Sequence, residues 1–105
     1  MVITPGEGDL SERLGYTPRK FFGWMYLDEN TGYVYIGHVK TVERKAGDFS
    51  ELVRNINKHG MRIKILNPSN EMTKICIAKG LKPTIERNDA FEQDDIVWVQ
   101  EDYKW

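Results

Sequence analysis

The stretch Y33-VYIGHVKTVERKAGDFSELVRNINKHGMRIKI-L66 decides the fold, because it reads as strand, loop, helix and strand in immediate succession. From residue 33 to 42 small and large apolar side chains alternate with others. Tyr33, Tyr35, Gly37, Val39 and Thr41 fall on one face, and Val34, Ile36, His38 and Lys40 on the other. Both faces carry apolar residues, which predicts a central strand covered on both sides. Phe49, Leu52, Val53 and Ile56 then recur at helical spacing, a single apolar stripe. Asp48 is the expected cap, Glu51 stands three residues on, and Gly60 ends the helix with Lys58 and His59 in the last turn. MRIKIL alternates again as a strand. Two strands joined through a helix must run parallel, with a right-handed crossover.

Outward from this unit the pattern continues on both sides. FFGWMYLDENTGYVYI reads as two strands around the turn DENTG. Downstream, Asn67 is the expected cap and Pro68 the first residue of a second helix over 68–79, with Met72, Ile75 and Cys76 inward and Gly80 as the stop. LKPTIER and DIVWVQ are the last two strands, around the acidic loop NDAFEQD. The expected class is therefore α/β (α+β): a mixed, mostly antiparallel sheet with one parallel β-α-β crossover and two main helices. Residues 1–20 read as an N-terminal arm with one short helical turn capped by Asp9, and residues 21–105 as a single domain.

Composition bounds the function. The chain has 105 residues, 40% hydrophobic and 30% charged, the make-up of one globular domain with a modest core. No apolar run reaches the roughly 18–20 residues of a membrane span, and the N-terminal stretch has no leader-like apolar core. One cysteine, Cys76, makes no internal disulfide, and with two separated histidines it makes no zinc site. A reducing, cytoplasmic setting follows. Charge is uneven: residues 40–87 hold 11 Lys/Arg against 5 Asp/Glu, while residues 88–105 carry a net −5. A basic middle suits either a solvated surface or an anionic ligand. The basic residues are dispersed and no base-reading motif is present, so nucleic acid is not the expected partner.

The strand–loop–helix at 39–53 resembles the acyl-CoA site of the GNAT superfamily of N-acyltransferases, over roughly residues 20–105. That family places Arg/Gln-x-x-Gly-x-Gly/Ala between a central strand and a helix, and binds the CoA pyrophosphate on the loop amides. Arg44-Lys45-Ala46-Gly47-Asp48-Phe49 lies in register: Arg44 and Gly47 match, and Phe49 replaces the small final residue. Val39 matches the strand valine that meets the pantetheine arm, Thr41 stands where proline is common, and Ser50, Leu52 and Val53 match the start of the helix. Asn70 and Gly80-Leu81 resemble the two ends of the family's second signature, one residue short. Its tyrosine is replaced by Cys76 or Ile77, according to which end is aligned. The resemblance implies acetyl-CoA as cofactor, transfer to an amine, and a pocket where the two parallel strands part. It leaves the acid and base open between weak matches: His38 against a packed strand histidine, and Cys76 against a buried, inert thiol. Small GNAT-like phage proteins, including virion proteins, are also similar. They imply a second reading, a catalytically inactive interaction or head-assembly module, located in a virion. Tyr103 and Trp105 are then the aromatic side chains for a protein partner or self-association.

Overall fold

The computed structural model describes residues 1–43, 47–103 and 105. In chain order the elements are β1 (Val2–Ile3), α1 (Asp9–Arg13), β2 (Phe21–Phe22), β3 (Met25–Asp28), β4 (Tyr33–Ile36), β5 (Lys40–Thr41), α2 (Asp48–Lys58), β6 (Arg62–Leu66), α3 (Asn70–Ala78), β7 (Lys82–Asn88) and β8 (Gln93–Val99). Six strands form one sheet in the order β1-β3-β4-β6-β8-β7, and β2 pairs with β5 in a separate two-stranded ribbon. Among the described strands only β4 and β6 run parallel, Tyr33 opposite Arg62 through Ile36 opposite Ile65. The other pairings are antiparallel. The class is α+β with a mostly antiparallel sheet, as the alternations and the β-α-β unit require.

The core lies under one face of the sheet. Val34, Ile36, Ile63 and Ile65 project from the central strands into a cluster with Leu52, Val53 and Ile56 of α2 and Cys76 of α3. This is the helical stripe seen in the sequence, and burying it is what holds α2 in place. The expected cover on both faces of the central strand is corrected. On the second face Tyr33 and Tyr35 are half-buried under neighbouring side chains. The Arg62 guanidinium lies 5.0 Å from the Tyr33 ring centre, and the Lys64 ammonium 5.1 Å from that of Tyr35. Lys64 also bonds Glu86 at 2.9 Å and the Tyr35 hydroxyl at 3.2 Å. Burial raises the Tyr35 pKa. Burial alone would lower that of Lys64, and its bonds to Glu86 and Tyr35 raise it on balance. These cation–aromatic contacts shield apolar ring surface where no helix does.

Residues 1–20 depart from the expectation of an arm. Ile3 pairs opposite Met25 in the sheet. Ile3, Leu14 and Tyr16 are fully buried in the same cluster as the central strands. Gly8 rather than Asp9 takes the cap position of α1, and the buried Ser11 hydroxyl donates to the Thr4 carbonyl at 2.6 Å to close the segment.

The continuous strand expected over 33–42 is interrupted. Two residues, Gly23 and Trp24, separate the paired blocks on one strand; three, Gly37 to Val39, separate them on its partner. One extra residue is a bulge, which bends a strand and breaks its pairing. Gly23 makes the bend sterically feasible. It has φ of +94°, and a Cβ there would sit 1.6 Å from the His38 carbonyl oxygen. Only glycine permits that approach. The β2–β5 ribbon thus turns away from the main sheet, and β4 parts from β6 after Ile36.

Candidate functional site

The parting opens a cavity of about 570 Å3. Its floor is Ile36 and Ile65, the last paired residues of the parallel strands. Val39 and Thr41 form the side that has peeled away, Phe49 of α2 and Met72 of α3 close it from the helices, and Leu66 continues β6 along its edge. The exposed rim carries Phe22, Lys40, Asn67 and Ser69. A pocket at the end of a parallel pair, roofed by the helix that links the strands, is where the resemblance places the pantetheine arm.

The first turn of α2 stands at this cavity. Gly47 takes the cap position in the left-handed region, φ +76° and ψ +8°, and as a glycine it offers no side chain to cap the helix. The expectation that Asp48 caps α2 is therefore corrected. Asp48 is the first helical residue, with its carboxylate turned to Lys20 at 4.0 Å, and Glu51 reaches the same ammonium at 3.9 Å. The physical reason is Gly47. By accepting the positive φ as cap it begins the helix one residue earlier than Asp48 would, which places Asp48 at the first helical position and takes its carboxylate off the first-turn amides. Those amides keep their donors directed outward at the positive end of the helix dipole. Arg44, Lys45 and Ala46, expected to complete the loop, lie outside the described residues.

The other expected residues divide cleanly. Val39, Thr41 and Phe49 line the cavity together. Gly47, Asp48 and Ser50 belong to the neighbouring helix start without lining it. Asn70 is the exposed first residue of α3 and also stands off the lining. His38 is exposed and stacks on Trp24, ring centres 4.9 Å apart, outside the lining. Cys76 is fully buried in the core, and burial pushes its thiol up to about 11. It packs, as a buried thiol does. Trp105 packs inside the fold, its ring 5.8 Å from Phe49 edge-on and 5.6 Å from the Lys79 ammonium. Tyr103 stays exposed, with its hydroxyl donating to the Gly60 carbonyl at 3.4 Å.

Where α3 begins, the expectation of Asn67 as cap is corrected as well. Ser69 is the cap, its hydroxyl accepting from the Met72 amide at 3.2 Å. Asn67, with φ of +42°, ties the chain to β8 instead. Its amide donates to the Ile96 carbonyl at 2.7 Å, and its side chain exchanges bonds with the Ile96 amide and the Asp95 carboxylate. Asn67, Gln93 and Asn88 all donate to Asp95 and hold its carboxyl below the usual carboxylate range.

Most of the cavity lining was not among the expected site residues, notably Phe22, Ile36, Ile65, Leu66, Ser69 and Met72. The available signal was the pair of glycines, Gly23 and Gly37, each inside a strand pattern, which marks a bulge or a close backbone approach. Among the described residues no group of three or more His, Cys, Asp or Glu is placed to hold a metal. No helix among them is long and apolar enough to cross a membrane. Comparison of the chain with protein-family models, with curated proteins and with solved structures finds no match.

Proposed function

We propose that this chain is a GNAT-like acyl-CoA-binding protein. The wedge between β4 and β6 takes the pantetheine arm, and the first turn of α2 takes the pyrophosphate. The observation that carries the reading is the cavity itself. It lies where the parallel strands β4 and β6 part, with Val39, Thr41 and Phe49 on its walls. The uncapped start of α2 adds to it, since amides without a side-chain acceptor suit an anion. In the transferase form of this reading, an amine held in the wedge attacks the thioester carbonyl. The C–N bond forms, the C–S bond breaks and CoA leaves as its thiol. Positioning and exclusion of water supply the acceleration.

A specific observation favours the second form, a binding or assembly module without transfer. His38 and Cys76 both stand off the cavity, and its described lining includes no carboxylate, imidazole, thiol or phenol to move a proton. Calorimetric titration with CoA and acetyl-CoA, followed by a thiol-release assay with a polyamine and a peptide amine, separates the two. Binding with release supports the transferase, and binding without release the module. No heat at millimolar ligand overturns the acyl-CoA reading in both forms.

A further inference from the structure

The acetyl group is the smallest acyl unit that a thioester commonly carries, and the wedge is built for more. Its lining is graded. Ile36 and Ile65 at the floor are 4% and 3% exposed, and Val39, Leu66, Phe49 and Met72 rise above them half-buried. The floor carries no polar side chain; Thr41 is half-buried on the wall, and Lys40, Asn67 and Ser69 are exposed on the rim. Phe49, which stands where the resemblance calls for a small residue, is a wall of this cavity, braced edge-on by Trp105. A volume of about 570 Å3 lies within the range of about 300–1,000 Å3 that encloses a drug-sized ligand. One methyl group cannot cover that much apolar wall. Water left against it is unfavourable, and a polar group placed on the floor finds no side-chain partner there.

We infer that the wedge selects an apolar acyl chain several carbons longer than acetyl. The chain end rests on Ile36 and Ile65, and the thioester lies above it, where the pantetheine arm enters the wedge. The inference uses the acyl-CoA reading for the carrier only; the apolar floor does not depend on it.

The test is calorimetry of the full chain with CoA, acetyl-, butyryl-, hexanoyl- and octanoyl-CoA, and with sodium octanoate alone. Each buried methylene is worth about 0.8 kcal/mol, roughly fourfold in affinity. Affinity is expected to climb with chain length and to gain at least about tenfold from acetyl to octanoyl. Met72→Trp fills the cavity from α3 and flattens the series, with a thermal melt to verify folding. Phe22→Asp, at a rim position 53% exposed and clear of the core, weakens the long-chain ligands without threatening the fold. Equal affinity for acetyl- and octanoyl-CoA overturns the inference and leaves the acyl-CoA reading standing. Octanoate binding that Met72→Trp abolishes, with no CoA thioester bound, upholds the apolar site and overturns the carrier. No binding by any of these ligands overturns the inference.

Discussion

The two long helices of this chain begin in opposite ways. α3 is fastened at its entry: Ser69 caps it, and Asn67 just before it is bonded to Ile96 and Asp95 on β8. α2 begins on a left-handed glycine that offers no side-chain cap, and among the described residues the long contacts of Lys20 to Asp48 and Glu51 and the Phe49–Trp105 ring contact steady its first turn. A capped helix has used its end for stability. An uncapped one beside a cavity keeps donors for something else. The difference assigns the stability of α2 to its buried stripe and that of α3 in larger part to its entry.

The sharpest way to break that contrast is in the stripe. Ile56 is fully buried between α2 and the sheet. Ile56→Ala is expected to cost about 2–5 kcal/mol in chemical denaturation. A cost under about 1 kcal/mol would mean that α2 is held by something other than packing. Next in size is Ser69→Ala, expected to cost about 0.5–2 kcal/mol because the Met72 amide loses its acceptor. Hydrogen exchange of the first turn of α3 should speed up in step.

Acid then probes the tie between Asn67 and Asp95. The Asp95 carboxyl is held below its unfolded value, near 3.9. Its contribution is present above that value and is lost as the pH falls through the lower folded value. Denaturation midpoints measured from pH 7 down to below pH 4 should decline on the acid side, and Asp95→Asn should reduce the decline. An unchanged acid limb would dissociate this carboxylate from stability. The smallest effect is predicted for Asp48→Asn. The contact from the half-buried Asp48 carboxylate to the more exposed Lys20 is long, 4.0 Å, and such a pair contributes little, so stability should move by no more than about 0.5 kcal/mol. A loss of 1–2 kcal/mol, the usual size of a lost cap, would restore Asp48 to the cap position.

Much of this architecture was legible beforehand, for a reason that also explains what was not. The 33–66 unit reads correctly because strand alternation and helix stripe are local patterns set by which face is buried: Val34, Ile36, Leu52, Val53, Ile56, Ile63 and Ile65 are all buried as their periodicity requires. The break after Ile36 does not read from the residues themselves, because alternation runs on through Gly37 and Val39 unchanged; a parting of the two parallel strands was implied only by the resemblance. It is decided by Gly23, fourteen residues away in sequence and in contact with the His38 carbonyl. Both helix starts shift by one or two residues: Gly47 takes a positive φ as cap, and Asn67 takes one while bonded to Ile96 and Asp95 of β8. Leu14 and Tyr16 sit in a polar, aperiodic stretch, and nothing local marks them as core. Of the cavity, the loop-side wall of Val39, Thr41 and Phe49 was legible through the resemblance. The floor was not, since it exists only once β4 and β6 are parted.

In the proposed reading, the open start of α2 and the parted strands act as one acyl-CoA site. Amide chemical shifts of isotopically labelled protein, followed by NMR during titration with acetyl-CoA, test it most directly. The account predicts perturbations concentrated at Val39 to Thr41 and at Asp48 to Ser50, with Asp48→Asn tightening the response by removing a carboxylate from the helix end that receives the anion. Shifts centred instead on Tyr35 and Lys64 across the sheet, or none at millimolar ligand, would contradict it.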